Sequence, residues 1–374
     1  MQMRRREFVK GAAAAAFGCR PLVSAAAEGA CPRPKFAWSF LVHFGMNMWG
    51  DIVGKPSRDG LIKKHLTDEE FALVCGDDYL ALDRVRFDEK LWRDLSDQLR
   101  RDGCNQIVVD VGEFLEYPSH PELAVKGSWS AERLAAEVRR LNGMGFEVVP
   151  KLNFSCCHRT WLGEYGRMVS TGKYYEVCSD LIRDALEVFE GARFLHIGMD
   201  EEHMPSYQSY NTMLVMRQGD LWWHDLLWLV KEVEKHGVRA WMWADKIWHD
   251  REGFVKRCPK SVLQSNWYYL DDFNPKAGQD PRHKASLYPM VHAYEWLDEA
   301  GFDQVPTTSC CGNWSTLTTN SRLTAAYVRK HVSDARLKGL MMAPWSLTMA
   351  PFEAAILKGL EQTVPAIELL EWDA

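Results

Sequence analysis

Short apolar runs alternate with amphipathic stretches along most of the chain. Segments 39–44 (SFLVHF), 106–111 (QIVVDV), 146–152 (FEVVPKL) and 193–198 (RFLHIG) have the length and apolar content of buried strands. Segments 239–244, 261–266, 304–308 and 340–345 continue the series. Between them apolar residues recur at helical spacing. Leu91, Trp92, Leu95 and Leu99 mark a helix over 88–102, and Leu134, Val138 and Leu141 mark one opened by Ser130 and stopped at Gly143. Val177, Leu181, Ala185 and Val188 share one face over 174–189. Further helices are predicted over 220–236, 254–258, 294–300, 322–337 and 352–369. Eight such alternations predict an α/β fold, a (β/α)8 TIM barrel in a single domain from residue 32 to 374. No GxGxxG turn follows the first strand, which argues against an open dinucleotide-binding sheet.

Composition narrows the partners. The chain has 374 residues, within the range of one barrel, and 47% of them are apolar. The net charge of −6 offers no basic surplus for phosphate neutralisation, so no nucleic-acid partner is expected. No apolar run of about 18 residues occurs, so no membrane span is expected. Residues 1–27 read as an export signal of the twin-arginine type: Arg4, Arg5 and Arg6, then Phe8 and Lys10, an alanine-rich middle, and small residues to Ala27. This predicts a periplasmic or extracellular protein, with lipid anchoring at Cys19 as a minor variant. The ten cysteines show no CxxC spacing, so packing thiols or one or two disulfides are expected, and neither a metal nor a cofactor. A polar insert over 51–86 follows the first strand and is expected to lie over the barrel mouth.

Barrel enzymes build their sites at the carboxyl ends of the strands. There the sequence places His43, then Asp110 and Glu113, then Asn153 and His158, then Asp200 and Glu201. Trp243 and Asp245, Trp267 and Tyr268, and Trp345 follow. Carboxylates beside indole faces suit a saccharide, whose C–H faces stack while its hydroxyls hydrogen-bond. The adjacent pair Asp200-Glu201 ends an apolar strand, and mutual repulsion is expected to raise one pKa, so that one acid holds a proton for a departing glycosidic oxygen. The alternative is a helix N-terminus decorated with acids, and Glu202 makes a third that reads as a solvated turn.

The segment His196-Ile197-Gly198-Met199-Asp200-Glu201 resembles the HIGGDE motif of glycoside hydrolase family 20, the β-N-acetylhexosaminidases. The third strand and the Trp-bearing segments RAWMWAD, QSNWY and 339–345 stand in a similar order. The resemblance implies substrate-assisted hydrolysis, in which the sugar's 2-acetamido oxygen is the nucleophile. Asp200 would then orient that amide, and Glu201 would be the acid/base. Trp243, Trp267 and Trp345 would line the acetamido pocket, with Tyr268 or Tyr269 as its phenol. The departures are Met199 in place of the second glycine, no arginine in the first strand (leaving His43 or Asn47), no HxGH element after the third strand, and no small domain before the barrel. Two other accounts stay open. One is a retaining glycosidase with Asp110, Glu113 or Asp245 as nucleophile, the other a non-catalytic carbohydrate-binding barrel. The expected partner in each is an oligosaccharide or glycan.

Overall fold

The computed structural model describes residues 31–48, 81–203, 215, 217–274, 287–310 and 319–370. The export-signal expectation, Cys19 and most of the 51–86 insert lie outside the described residues. Eight parallel strands form the barrel: β1 (Ala37–His43), β2 (Gln106–Asp110), β3 (Glu147–Lys151), β4 (Phe194–His196), β5 (Arg239–Trp243), β6 (Leu263–Ser265), β7 (Thr307–Thr308) and β8 (Gly339–Met342). They pair in the order β6-β5-β4-β3-β2-β1-β8-β7. The ring closes where Val305 N–H donates to Gln264 O and Thr307 N–H to Asn266 O, both at 2.8 Å.

Helices α1 (Glu89–Arg101), α2 (Ala131–Gly143), α3 (Gly172–Val188), α4 (Asp220–Glu234), α5 (Arg251–Arg257), α6 (Leu287–Glu299), α7 (Asn320–His331) and α8 (Glu353–Leu370) follow the strands in turn. Two depart from the sequence expectation. α6 begins seven residues early, because Pro289 sits in its first turn, where a missing N–H costs nothing. α7 stops at His331, where Ser333 leaves the helix to bond Asp298 through its N–H and hydroxyl.

Side chains alternate along each strand, so one parity fills the barrel and the other meets the helices. The inward series stacks in layers. Ser39, Gln106 and Glu147 form a polar base, Glu147 being paired with Arg193. Leu41, Val108, Val149, Trp241, Leu263, Val305 and Met341 form an apolar middle. Two residues further along, the same parity reaches His43, Asp110, Lys151, His196, Trp243 and Ala343 at the carboxyl end. The outward series, including Phe40, Val42, Ile107, Val109, Leu195 and Met242, packs with α1 to α4 in the main core. Cys31, Cys104, Cys156, Cys157, Cys178, Cys258 and Cys310 are free thiols, all but Cys31 buried. Among the described residues these act as packing thiols, and Cys19, Cys75 and Cys311 lie outside the described residues.

Candidate active site

The tip of β4 is the centre of the site. Gly198 has φ +72, and a Cβ there would lie 2.0 Å from Asn153 Oδ1, so only glycine fits. Met199 (φ 74) and Glu201 (φ 60) also take the left-handed conformation, which L side chains rarely adopt. This turn swings both acids toward the β3 loop. His158 Nε2 stands 3.1 Å from Asp200 Oδ2 and 3.2 Å from Glu201 Oε2. Asn153 donates to Asp200 Oδ1 at 3.0 Å, and Ser155 Oγ donates to Asp200 O at 2.5 Å. The Glu201 N–H donates to Asp245 Oδ2 at 2.9 Å, and its carbonyl accepts the Cys157 thiol at 3.3 Å.

The electrostatics differ from the expectation of two acids repelling each other. Burial would raise Asp200, but the His158 charge and hydrogen bond, with Lys151 and Asn153, hold it down at about 2. Burial would lower His158, but its two carboxylates outweigh that and raise it to about 10. The carboxyl pushed well above its ordinary range is Asp245, by burial first and then by the Asp200 and Glu201 charges. Its Oδ1 is buried with no hydrogen-bond partner among the described residues. Below this level lies a second buried set. Lys151 donates to Asp110 Oδ2 at 2.5 Å, with His43 Nδ1 3.3 Å from the same oxygen. Burial would raise Asp110, yet Lys151 and His43 keep it below its ordinary value.

The aromatic wall is continuous. Trp243 meets Trp345 at 5.7 Å between ring centroids, and Trp345 meets His43 at 5.5 Å. Trp345 Nε1 donates to Tyr269 Oη at 3.1 Å, and Tyr269 stacks on Trp267 at 5.2 Å. Burial raises the Tyr269 phenol, and the Asp200 and Glu201 charges reach it, which ties this wall to the acids. Trp267 and Trp345 are half-buried, whereas Trp243 is buried.

Four sequence expectations are corrected. Tyr268 faces outward, buried with Val291 and Tyr294, and its hydroxyl donates to Asp272 O at 2.6 Å. Tyr269 has the inward parity of Leu263, Ser265 and Trp267 and takes the place at the wall. Glu113 is not at the mouth; it accepts the Met46 and Asn47 N–H groups and anchors the loop after β1. Asn47 is likewise engaged, with Leu82 and Arg86. Glu202 is no solvated turn, for it is buried against Arg217.

Among the described residues, His158, Asp200 and Glu201 bring donor atoms within 4.8 Å of one another, the spacing a cation would need. A proton on His158 shared between the two carboxylates accounts for the same spacing. The sequence offers no signal for Arg217, since a loop residue carries no periodicity, and the segment from Asn153 to His158 stands out there only as the stretch where an HxGH element is absent. Tyr269 was legible, because strand alternation distinguishes it from Tyr268.

No family model matches the chain, and no curated protein matches its sequence. Solved structures do match. The chain is similar to the β-N-acetylhexosaminidase from Bacteroides fragilis, with TM-score 0.51 and 12% identity over 89% of this chain and 66% of that one. It is similar to the GH20 β-N-acetylhexosaminidase from Streptomyces coelicolor, with TM-score 0.52, 13% identity, and 89% and 64% coverage. It is similar also to a mutant Streptomyces plicatus β-hexosaminidase in complex with the product GlcNAc, with TM-score 0.55, 12% identity, and 89% and 64% coverage. The chain therefore spans less than two thirds of the length of these structures. At such identities the likeness establishes a shared barrel fold.

Proposed function

We propose that the chain is a glycoside hydrolase acting on a 2-acetamido sugar, with Glu201 as acid/base and Asp200 orienting the substrate's amide. The observation that carries this reading is the single imidazole of His158 meeting both carboxylates at the tip of β4. Asp200 is buried and held ionised, as a group must be to stabilise positive charge on an amide nitrogen. The Glu201 side chain is 35% exposed, so it can reach a leaving oxygen.

The sugar stacks on the indoles of Trp345 and Trp267. Its acetamido oxygen attacks the anomeric carbon while Glu201 gives a proton to the departing oxygen. The glycosidic bond breaks and a cyclic oxazolinium forms, its charge facing Asp200. Glu201 then takes a proton from the water that opens this ring at the anomeric carbon, and the product keeps the starting configuration. His158 keeps its own proton between the two carboxylates and fixes their spacing.

The alternative of a protein nucleophile finds little support. Asp110 is paired with Lys151 and has His43 against the same oxygen, and Glu113 is occupied by two backbone N–H groups. Asp245 is held toward its protonated form, a poor nucleophile. A thiazoline analogue of the oxazolinium tests the scheme. Tight competitive inhibition is expected, and a fluorosugar that traps a covalent protein adduct would contradict it. The leader supports export by the twin-arginine route, and N-terminal sequencing of the exported chain should begin after Ala27.

A further inference from the structure

The left-handed turn that delivers Glu201 needs an external hold, because neither Met199 nor Glu201 favours that backbone conformation. Arg217 supplies contacts of the right kind. It lies between β4 and α4, and its side chain is fully buried. Its guanidinium pairs with Glu202 through Nε at 3.0 Å and through Nη2, and with Asp225 of α4 at 3.2 Å. Nη2 also donates to Phe154 O on the β3 loop at 2.7 Å, and lies 3.6 Å from Met199 Sδ. One side chain thus touches both sides of Asp200-Glu201, at Met199 and at Glu202, and the loop that carries His158. Glu202 in turn accepts the Cys156 N–H at 3.0 Å, two residues before His158. Asp225 is fixed from α3 by the Tyr175 hydroxyl at 2.5 Å, and by Ser170 Oγ at 2.6 Å. The strut therefore runs from the helical layer to the two loops of the site.

A buried ion triad is a weak source of net stability, since apolar groups of equal volume often do as well. What it supplies here is direction, because a planar guanidinium accepts its partners only along fixed lines. We infer that Arg217 is a positioning residue: through Glu202, Met199 and Phe154 it holds the β4 and β3 loops in the register that sets Glu201 and Asp200 against His158. This rests on the functional reading above for its kinetic consequence, but not for its structural one.

The test uses the full chain and an aryl 2-acetamido-2-deoxy-β-glucoside, with Arg217→Met, Arg217→Lys, Glu202→Gln and the Arg217→Met/Glu202→Gln pair. A displacement of about 1 Å at a reacting group costs on the order of 100-fold, so Arg217→Met should lower kcat by about 10- to 100-fold. KM should move by less than about 3-fold, because the aromatic wall is untouched. Arg217→Lys should recover part of the loss. The double variant should be no worse than Arg217→Met alone, since both changes cut one linkage. Glu202→Gln keeps volume and the acceptor for Cys156, so it carries the test if Arg217→Met does not fold. The second readout is the His158 titration followed by NMR, which needs no turnover. In the variants it should fall toward the ordinary histidine range as the carboxylates drift away.

Variants that fold, keep kcat within about 2-fold and leave the His158 titration unmoved would overturn the inference. Glu201→Gln is measured alongside. If it retains wild-type turnover, the reading of Glu201 fails while the His158 titration still decides on Arg217. If it loses turnover and the Arg217 and Glu202 variants do not, only the strut fails.

Discussion

At the scale of the residue, the site is built on opposed charges brought close rather than on like charges left to repel. Against the effect of burial, Asp200 is held down at about 2 by His158 with Lys151 and Asn153, and His158 is raised to about 10 by Asp200 with Glu201. Asp200, lowered below its unfolded value, contributes stability that is present above about pH 4 and lost as pH falls toward 2. His158, raised above its unfolded value, contributes stability that is whole below about pH 6.5 and fades as pH rises to about 10. The two statements describe one interaction, strongest between about pH 4 and 6.5. Urea unfolding should therefore show the wild type losing stability between pH 7 and 10 more steeply than His158→Gln. Parallel slopes for the two proteins would contradict this. Met199 poses a second question of magnitude. Its left-handed backbone costs about 1–2 kcal/mol, which glycine would relieve. Its side chain is buried, however, and removing a buried methionine costs about 2–5 kcal/mol. The cavity wins, so Met199→Gly should destabilise by about 1–3 kcal/mol in a urea midpoint measurement, although a glycine suits the turn better.

At the scale of the element, strand parity decides which side chains can act. The alternation that fills the barrel with Leu41, Val108, Val149 and Trp241 carries on to His43, Asp110, Lys151 and Trp243. Past β6 it selects Trp267 and Tyr269 and sends Tyr268 outward. Tyr268→Phe should lose about 1 kcal/mol of stability with its bond to Asp272 O, and leave kcat/KM unchanged. Tyr269→Phe removes the acceptor of Trp345 Nε1 and should raise KM by about 5- to 10-fold. The reverse assignment of these two effects would show the parity argument to be wrong. The strands and most helices were legible in the sequence for this reason: periodicities of 2 and 3.6 reflect burial on one face, which the residues themselves report. The start of α6 was not, because a proline in a first turn looks like a break. Glu113, Glu202 and Arg217 were not, because a charged loop residue reads alike whether it is solvated or buried against a partner distant in sequence. The pair Asp200-Glu201 was legible as a pair, but the histidine between them lies more than forty positions away, and so its effect on their charges was not.

At the scale of the whole molecule, the barrel separates stability from chemistry along its axis. The base and middle layers hold paired or apolar side chains, and the carboxyl end holds the concentration of buried charge. The arrangement pays in local strain at Met199 and Glu201 for a fixed meeting of two acids and one imidazole. Glu201 is the group proposed to exchange a proton with the glycosidic oxygen. Turnover of an aryl 2-acetamido-2-deoxy-β-glucoside by the wild type and by Glu201→Gln tests it most directly. Hydrolysis by the wild type with retained configuration is expected, with a fall of about 100-fold or more in Glu201→Gln, which keeps shape but cannot carry the proton. Equal rates from the two proteins, or no hydrolysis by a folded wild type, would contradict it.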